Sequence, residues 1–123
     1  MGHRLDPAVL MAAAWALHAV RCVRGTLMSQ RLDVTAPRLV VPKAPRLPDR
    51  GRRGVAAVLH RRRATCLMSA AILQEWDAAH GRRRDVVIGV TTPSEGFRAH
   101  AWLDGDHACG DGEFAELLRV PAR

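Results

Sequence analysis

At Gly81 the chain changes period, and that change limits what it can fold into. Before it, apolar residues recur at helical spacing. After it, they come in short β-branched runs. A chain that is helical first and β afterwards is α+β rather than a doubly wound sheet. Its 123 residues suffice to bury a core, and a single domain over residues 1–123 is expected. Within it, residues 1–48 read as an N-terminal helix and a proline-rich strap, and residues 49–123 as the core that carries the chemistry.

The helical part has three pieces. Asp6-Pro7 reads as an N-cap and a first helical residue. Leu10, Ala13, Ala14, Leu17 and Val20 follow at helical spacing, with Gly25 as the stop. The apolar stretch Pro7–Val20 is shorter than a bilayer needs, and His18 interrupts it, so a soluble helix is expected. Asp6 also sits where a signal peptide carries only positive charge. Pro37, Pro42, Pro45 and Pro48 make an extended strap over residues 33–48. Asp49 caps a second helix to about Arg62, with Val55, Val58 and Leu59 as its stripe. Thr65 caps a third, from Cys66 to about Ala79. Its first half is apolar or small nearly all round, which belongs at the centre of a domain. Gly81 ends it.

Beyond Gly81, Asp85 to Val90 reads as a buried strand. Residues 91–96 turn, and Phe97 to Leu103 form a second strand. Phe97, Ala99 and Ala101 share one face; Arg98, His100 and Trp102 share the other. Asp104-Gly105-Asp106 is a hairpin turn into a short return strand around His107 to Cys109. Leu117, Leu118 and Val120 in the tail remain available to pack.

Three residues suggest chemistry. Cys66 opens the central helix, and a helix N-terminus favours a thiolate. A thiol nucleophile needs a base, and the base an orienter. His100 lies mid-strand and reaches Cys66 if the helix packs on its face of the sheet. Asp111 follows the hairpin, where a return strand brings it beside His100. Each also has an ordinary reading: a small buried hydrophobe, a hydrogen-bonded strand histidine, a turn aspartate between Gly110 and Gly112. Trp102 either walls such a site or fills the core. Cys22 in the first helix reads as structural.

Three cysteines without paired spacing fit a reducing cytoplasm. His100, His107 and Cys109 lack the paired spacing of structural zinc, so no metal and no cofactor is expected. The net charge is +7, nearly all from arginine, since Lys43 is the only lysine. Such a surface implies an acidic partner without saying which kind, and arginine-for-lysine usage is equally what a high-GC bacterial genome produces. Arg52, Arg53 and Arg61 to Arg63 suit an acidic peptide or protein, or simply keep a surface helix soluble. Arg82 to Arg84 read as a solvated turn complementing a helix C-terminus. Two Phe, three Trp and no Tyr leave few aromatics for stacking on single-stranded nucleic acid.

The run Cys66-Leu67-Met68-Ser69-Ala70-Ala71-Ile72-Leu73, then Val87-Ile88-Gly89-Val90, then Phe97-Arg98-Ala99-His100-Ala101-Trp102-Leu103, then Gly110-Asp111, resembles the transglutaminase-like leader peptidase of lasso peptide gene clusters. The resemblance covers about half the chain, Arg61 to Gly112, and is most specific at His-Ala-Trp with an upstream helix-opening cysteine. It implies a papain-like or transglutaminase-like fold, a central cysteine-bearing helix packed on a small antiparallel sheet. It also implies a Cys66–His100–Asp111 triad that cuts the leader from a ribosomally made precursor. The hairpin is one residue shorter than the family pattern, which leaves Glu113, Asp106 and Asp104 as substitutes for Asp111. The implied partners are the precursor peptide, a separate leader-recognition protein and the macrocycle-forming enzyme, with no nucleic acid and no membrane. Two other readings stay open: a basic, non-catalytic nucleic-acid-binding module, and a transglutaminase or amidase acting on side chains with the same triad.

Overall fold

A computed structural model describes residues 6–29, 40–90, 99–106 and 115–122. The chain divides into two compact units, Met1–Ala64 and Thr65–Arg123.

The N-terminal unit holds helix α1 (Pro7–Ser29), a 3-10 turn (Asp49–Gly51) and helix α2 (Arg52–Arg61). Asp6 caps α1 as its sequence suggests, its Oδ1 accepting from the Ala8 N–H at 2.9 Å. The helix does not stop at Gly25 but runs on to Ser29. An interior glycine costs only about 1 kcal/mol against alanine, and no proline follows until Pro37. A stretch of 19 residues, Pro7–Gly25, has a mean hydropathy of 1.2 and is long and apolar enough to cross a membrane by length and composition. The core helix of a soluble protein passes the same test, and part of this stretch is buried within the N-terminal unit. Ala8, Ala12, Ala16, Ala19, Val20 and Val23 are buried. These small residues let α2 come close. At Gly54 a Cβ would collide with the Val9 carbonyl oxygen and come within 3.2 Å of the Ala13 nitrogen. α2 packs on α1 in this way and lies with it in the N-terminal unit. Asp49 opens the 3-10 turn, and α2 itself starts from Gly51 without a side-chain cap. Residues 40–48 carry no regular structure, as a strap requires.

The C-terminal unit holds α3 (Cys66–Ala79), β1 (Val86–Val90), β2 (Ala99–Leu103) and β3 (Ala115–Val120). It is the helix-on-sheet α+β arrangement expected. The strands form an antiparallel sheet in the order β2-β1-β3. Thr65 caps α3, its hydroxyl accepting from the Met68 N–H at 3.2 Å. Gly81, with φ +80°, ends it in a Schellman motif: Arg82 N–H donates to Asp77 C=O at 2.8 Å and Gly81 N–H to Ala78 C=O at 3.1 Å. Ala70 of α3 is buried with Val86, Ala101 and Leu103, and Cys66, Leu67 and Leu73 pack against them. Cys66, Ala70 and Leu73 recur at helical spacing and form the helix's inner stripe.

The tail is a third strand, not only a packing segment, and its Leu118 and Val120 are exposed. Val86 pairs with Val120 and Ile88 with Leu118, but Gly89 pairs with Glu116. Leu117 is therefore the extra residue of a bulge. The return strand around His107 to Cys109, and Phe97 and Arg98 of the second strand, lie outside the described residues.

Candidate active site

Cys66 is the first residue of α3, directly after the capping Thr65. The first N–H groups of a helix have no acceptor within it. Thr65 takes up one of them, at Met68. The thiol is free and half-buried, against the cluster that includes Ala101 of β2. The fold thus brings the candidate nucleophile to the strand that carries the candidate base.

His100 is half-buried and pairs with Gly89 of β1. Its ring stacks on Trp102, centroids 5.9 Å apart and planes 22° off parallel. The two therefore share a face of β2, as the alternation requires. Ala101 and Leu103 occupy the other face, and that is the one α3 covers. The condition under which His100 would reach Cys66 directly, α3 packed on the His100 face, is not the arrangement here. Val86, Ala101 and Leu103 make the better apolar surface for α3, while the other side of β2 is interrupted by the imidazole.

Asp111 and Glu113 lie outside the described residues. The other two carboxylates weighed as orienters, Asp104 and Asp106, are engaged elsewhere. Asp104 meets Arg119 at 3.2 Å, and Asp106 meets Arg84 at 3.0 Å. Four residues of strand separate His100 from Asp104, about 13 Å.

Sequence reading missed an ionic frame behind the site. Asp77, on the last turn of α3, is only 1% exposed. Its carboxylate accepts from Arg84 at 2.6 Å and lies 3.8 Å from Arg82. Arg84 is thus not a solvated turn residue. Its guanidinium is held above its ordinary range, chiefly by the hydrogen bond to Asp77 and, after a desolvation cost, by Asp106. At the same end of the sheet, Arg119 of β3 meets Asp85 at 3.6 Å, Asp104 at 3.2 Å and Glu116. Hydrogen bonds from Glu116 first, then Asp104, raise its pKa too. Gln74 of α3 donates to the carbonyls of Arg84 and Val120, each at 2.9 Å. Together these contacts tie α3 to the strand ends and fix the Cys66 helix on the sheet. Separations such as Asp77 to Arg84 match no local motif. The one available signal was a carboxylate among the apolar residues of α3.

Cys22 lies beside His18 at 3.6 Å on α1. Among the described residues, no three His, Cys, Asp or Glu side chains gather as metal ligands. His107 and Cys109 lie outside those residues.

The family model described as the Transglutaminase-like superfamily matches residues 8–119. No curated protein and no solved structure gives a significant match.

Proposed function

This chain belongs to the transglutaminase-like superfamily, and we propose that it is a cysteine peptidase that removes the leader from a ribosomally made lasso peptide precursor. It works in the cytoplasm with a separate leader-recognition protein and passes its product to a macrocycle-forming enzyme. Membership of the superfamily fits cysteine-based acyl chemistry. The observation that carries the finer reading is Cys66: the first residue of a capped helix, packed against the strand that bears His-Ala-Trp.

The Cys66 thiolate attacks the scissile carbonyl, and a C–S bond forms. The C–N bond then breaks, and His100 delivers the thiol proton to the leaving amine. Water hydrolyses the thioester, adding hydroxyl to the acyl carbon and returning the proton to the Cys66–His100 pair. Asp111 orients the imidazole, and the Cys66 backbone N–H faces the developing oxyanion. Trp102, stacked beside His100, walls the substrate cleft. Because α3 covers the opposite face of β2, this chemistry requires ring and thiol to meet around the edge of β2, an outer strand of the described sheet.

The test is mass spectrometry of the precursor encoded beside the gene, incubated with the recognition protein and wild type, Cys66→Ala or His100→Ala. Wild type should make one cut between leader and core. Each variant should lose that activity by about a thousandfold or more. Undiminished cutting by Cys66→Ala overturns the nucleophile, and undiminished cutting by His100→Ala overturns the base. A deamidated but uncut precursor would point to the side-chain amidase instead.

A further inference from the structure

The N-terminal unit carries far more cations than its own carboxylates can meet. Met1–Ala64 holds thirteen Lys and Arg against three Asp and Glu, while Thr65–Arg123 holds six against nine. The net charges are +10 and −3, which together make the chain's +7. Asp6 is already taken by Arg50.

Four of these thirteen cations, Arg53 and Arg61 to Arg63, gather on and just beyond one helix. On α2, Gly54, Val55 and Leu59 are buried, while Arg53, Ala56, Ala57, His60 and Arg61 are exposed. At helical spacing these five lie along one face. Arg53 and Arg61 stand about 12 Å apart along the axis. Two alanines lie between them and let another backbone come close. Arg62 and Arg63, both exposed, extend the surface past the helix end. Arg63 has φ +50°, and it closes α2 with the hydrogen bonds that Gly81 uses to close α3: Arg63 N–H to His60 C=O and Ala64 N–H to Leu59 C=O. Glycine fits such a position without a Cβ penalty, yet an arginine stands there. Trp15 is the only Phe, Tyr or Trp of the unit and is buried, so the His60 imidazole is the one ring this face offers for a base to stack on.

We propose that the exposed face of α2, with Arg62 and Arg63, docks an acidic polypeptide segment of a partner protein. The proposal rests on the peptidase reading only where it names that partner as the leader-recognition protein. Carboxylates meet the arginines at each end, and small apolar side chains meet Ala56 and Ala57 between them.

The test is binding, not cleavage, so it is separable from the peptidase reading. Full-length wild type and Cys66→Ala are titrated with a labelled synthetic peptide of glutamate and leucine, with a DNA oligonucleotide, and with phosphatidylcholine vesicles containing phosphatidylglycerol. Arg53→Glu and Arg61→Glu are compared with Arg83→Glu, an equal charge change at an exposed position of the other unit. Circular dichroism checks that each variant is folded. The expected result is peptide binding that is equal in wild type and Cys66→Ala, falls about tenfold in Arg53→Glu and in Arg61→Glu, and holds within about twofold in Arg83→Glu. Equal losses in all three charge variants would reduce the surface to net charge and overturn the proposal. Tighter binding of DNA or vesicles with the same dependence on Arg53 and Arg61 would overturn it in favour of that ligand. The recognition protein, titrated in the same way, then decides whether it is the partner.

Discussion

Arg84 and Arg119 in the C-terminal unit each hold two or more carboxylates, one of them the buried Asp77. Arg53, Arg61 and Arg63 in the N-terminal unit stand on exposed surface, in a unit with three carboxylates in all. The same residue type thus fastens strands to a helix in one unit and presents charge in the other. What separates the two uses is the local count of acids, not the arginine runs, which look alike at residues 61–63 and 82–84. A sequence-wide pI hides this, because +10 and −3 average into one basic protein.

The sharpest way to break the comparison is to remove one arginine of each kind. Arg84→Ala leaves the Asp77 carboxylate buried, with Arg82 3.8 Å away. Breaking a fully buried pair costs about 3–5 kcal/mol. Arg84 is 27% exposed, so a loss of about 2–3 kcal/mol is expected, read as a lowered denaturant midpoint. Arg53→Ala should change stability by less than about 0.5 kcal/mol. Equal effects would show that the two arginines are not used differently.

Glycine offers a second contrast. Gly54 is needed for space, where α2 crosses the Val9 carbonyl of α1. Gly81 is needed for its backbone, at φ +80° with nothing within 4 Å of a Cβ. Gly54→Ala overpacks a helix crossing and should cost about 2 kcal/mol. Gly81→Ala strains a left-handed cap and should cost about 1 kcal/mol. Thermal unfolding of the two variants checks the order. A larger loss for Gly81→Ala would mean that α1 and α2 can move apart to admit a methyl group.

These contrasts also mark what the sequence could tell. Both ends of α3 were legible because Thr65 and Gly81 act on their own helix, and the β-branched run of β1 stands alone. The end of α1 was not, because Gly25 signals a stop that the following residues do not enforce. β3 was hidden by Leu117-Leu118, which breaks the period of two that the bulge later restores. For the candidate site, the position of Cys66 at a helix start was legible. The alternation of β2 was legible too, but not the face that α3 would choose, since that choice depends on β1 supplying Val86 beside Leu103. The Asp77–Arg84 pair was out of reach for the same reason: a tertiary contact joins residues whose spacing follows no rule.

The Asp6–Arg50 pair is the N-terminal unit's counterpart to Asp77–Arg84, and it should be the weaker of the two because it lies in solvent. Asp6 is held below its ordinary value of 3.8, first by the hydrogen bond from Arg50 and then by the Ala8 N–H. A carboxyl whose folded pKa is depressed adds stability above its unfolded pKa and loses it as pH falls through the folded value. Asp6→Asn keeps an oxygen for the Ala8 N–H and removes the charge, so it isolates the ionic part. Its melting temperature should lie slightly below wild type at neutral pH, and the gap should close below about pH 3.8. The absence of any gap at neutral pH would mean that Asp6 acts through its cap alone. The unit would then draw no stability from this ion pair, and its contrast with the buried pair behind Cys66 would be sharper still.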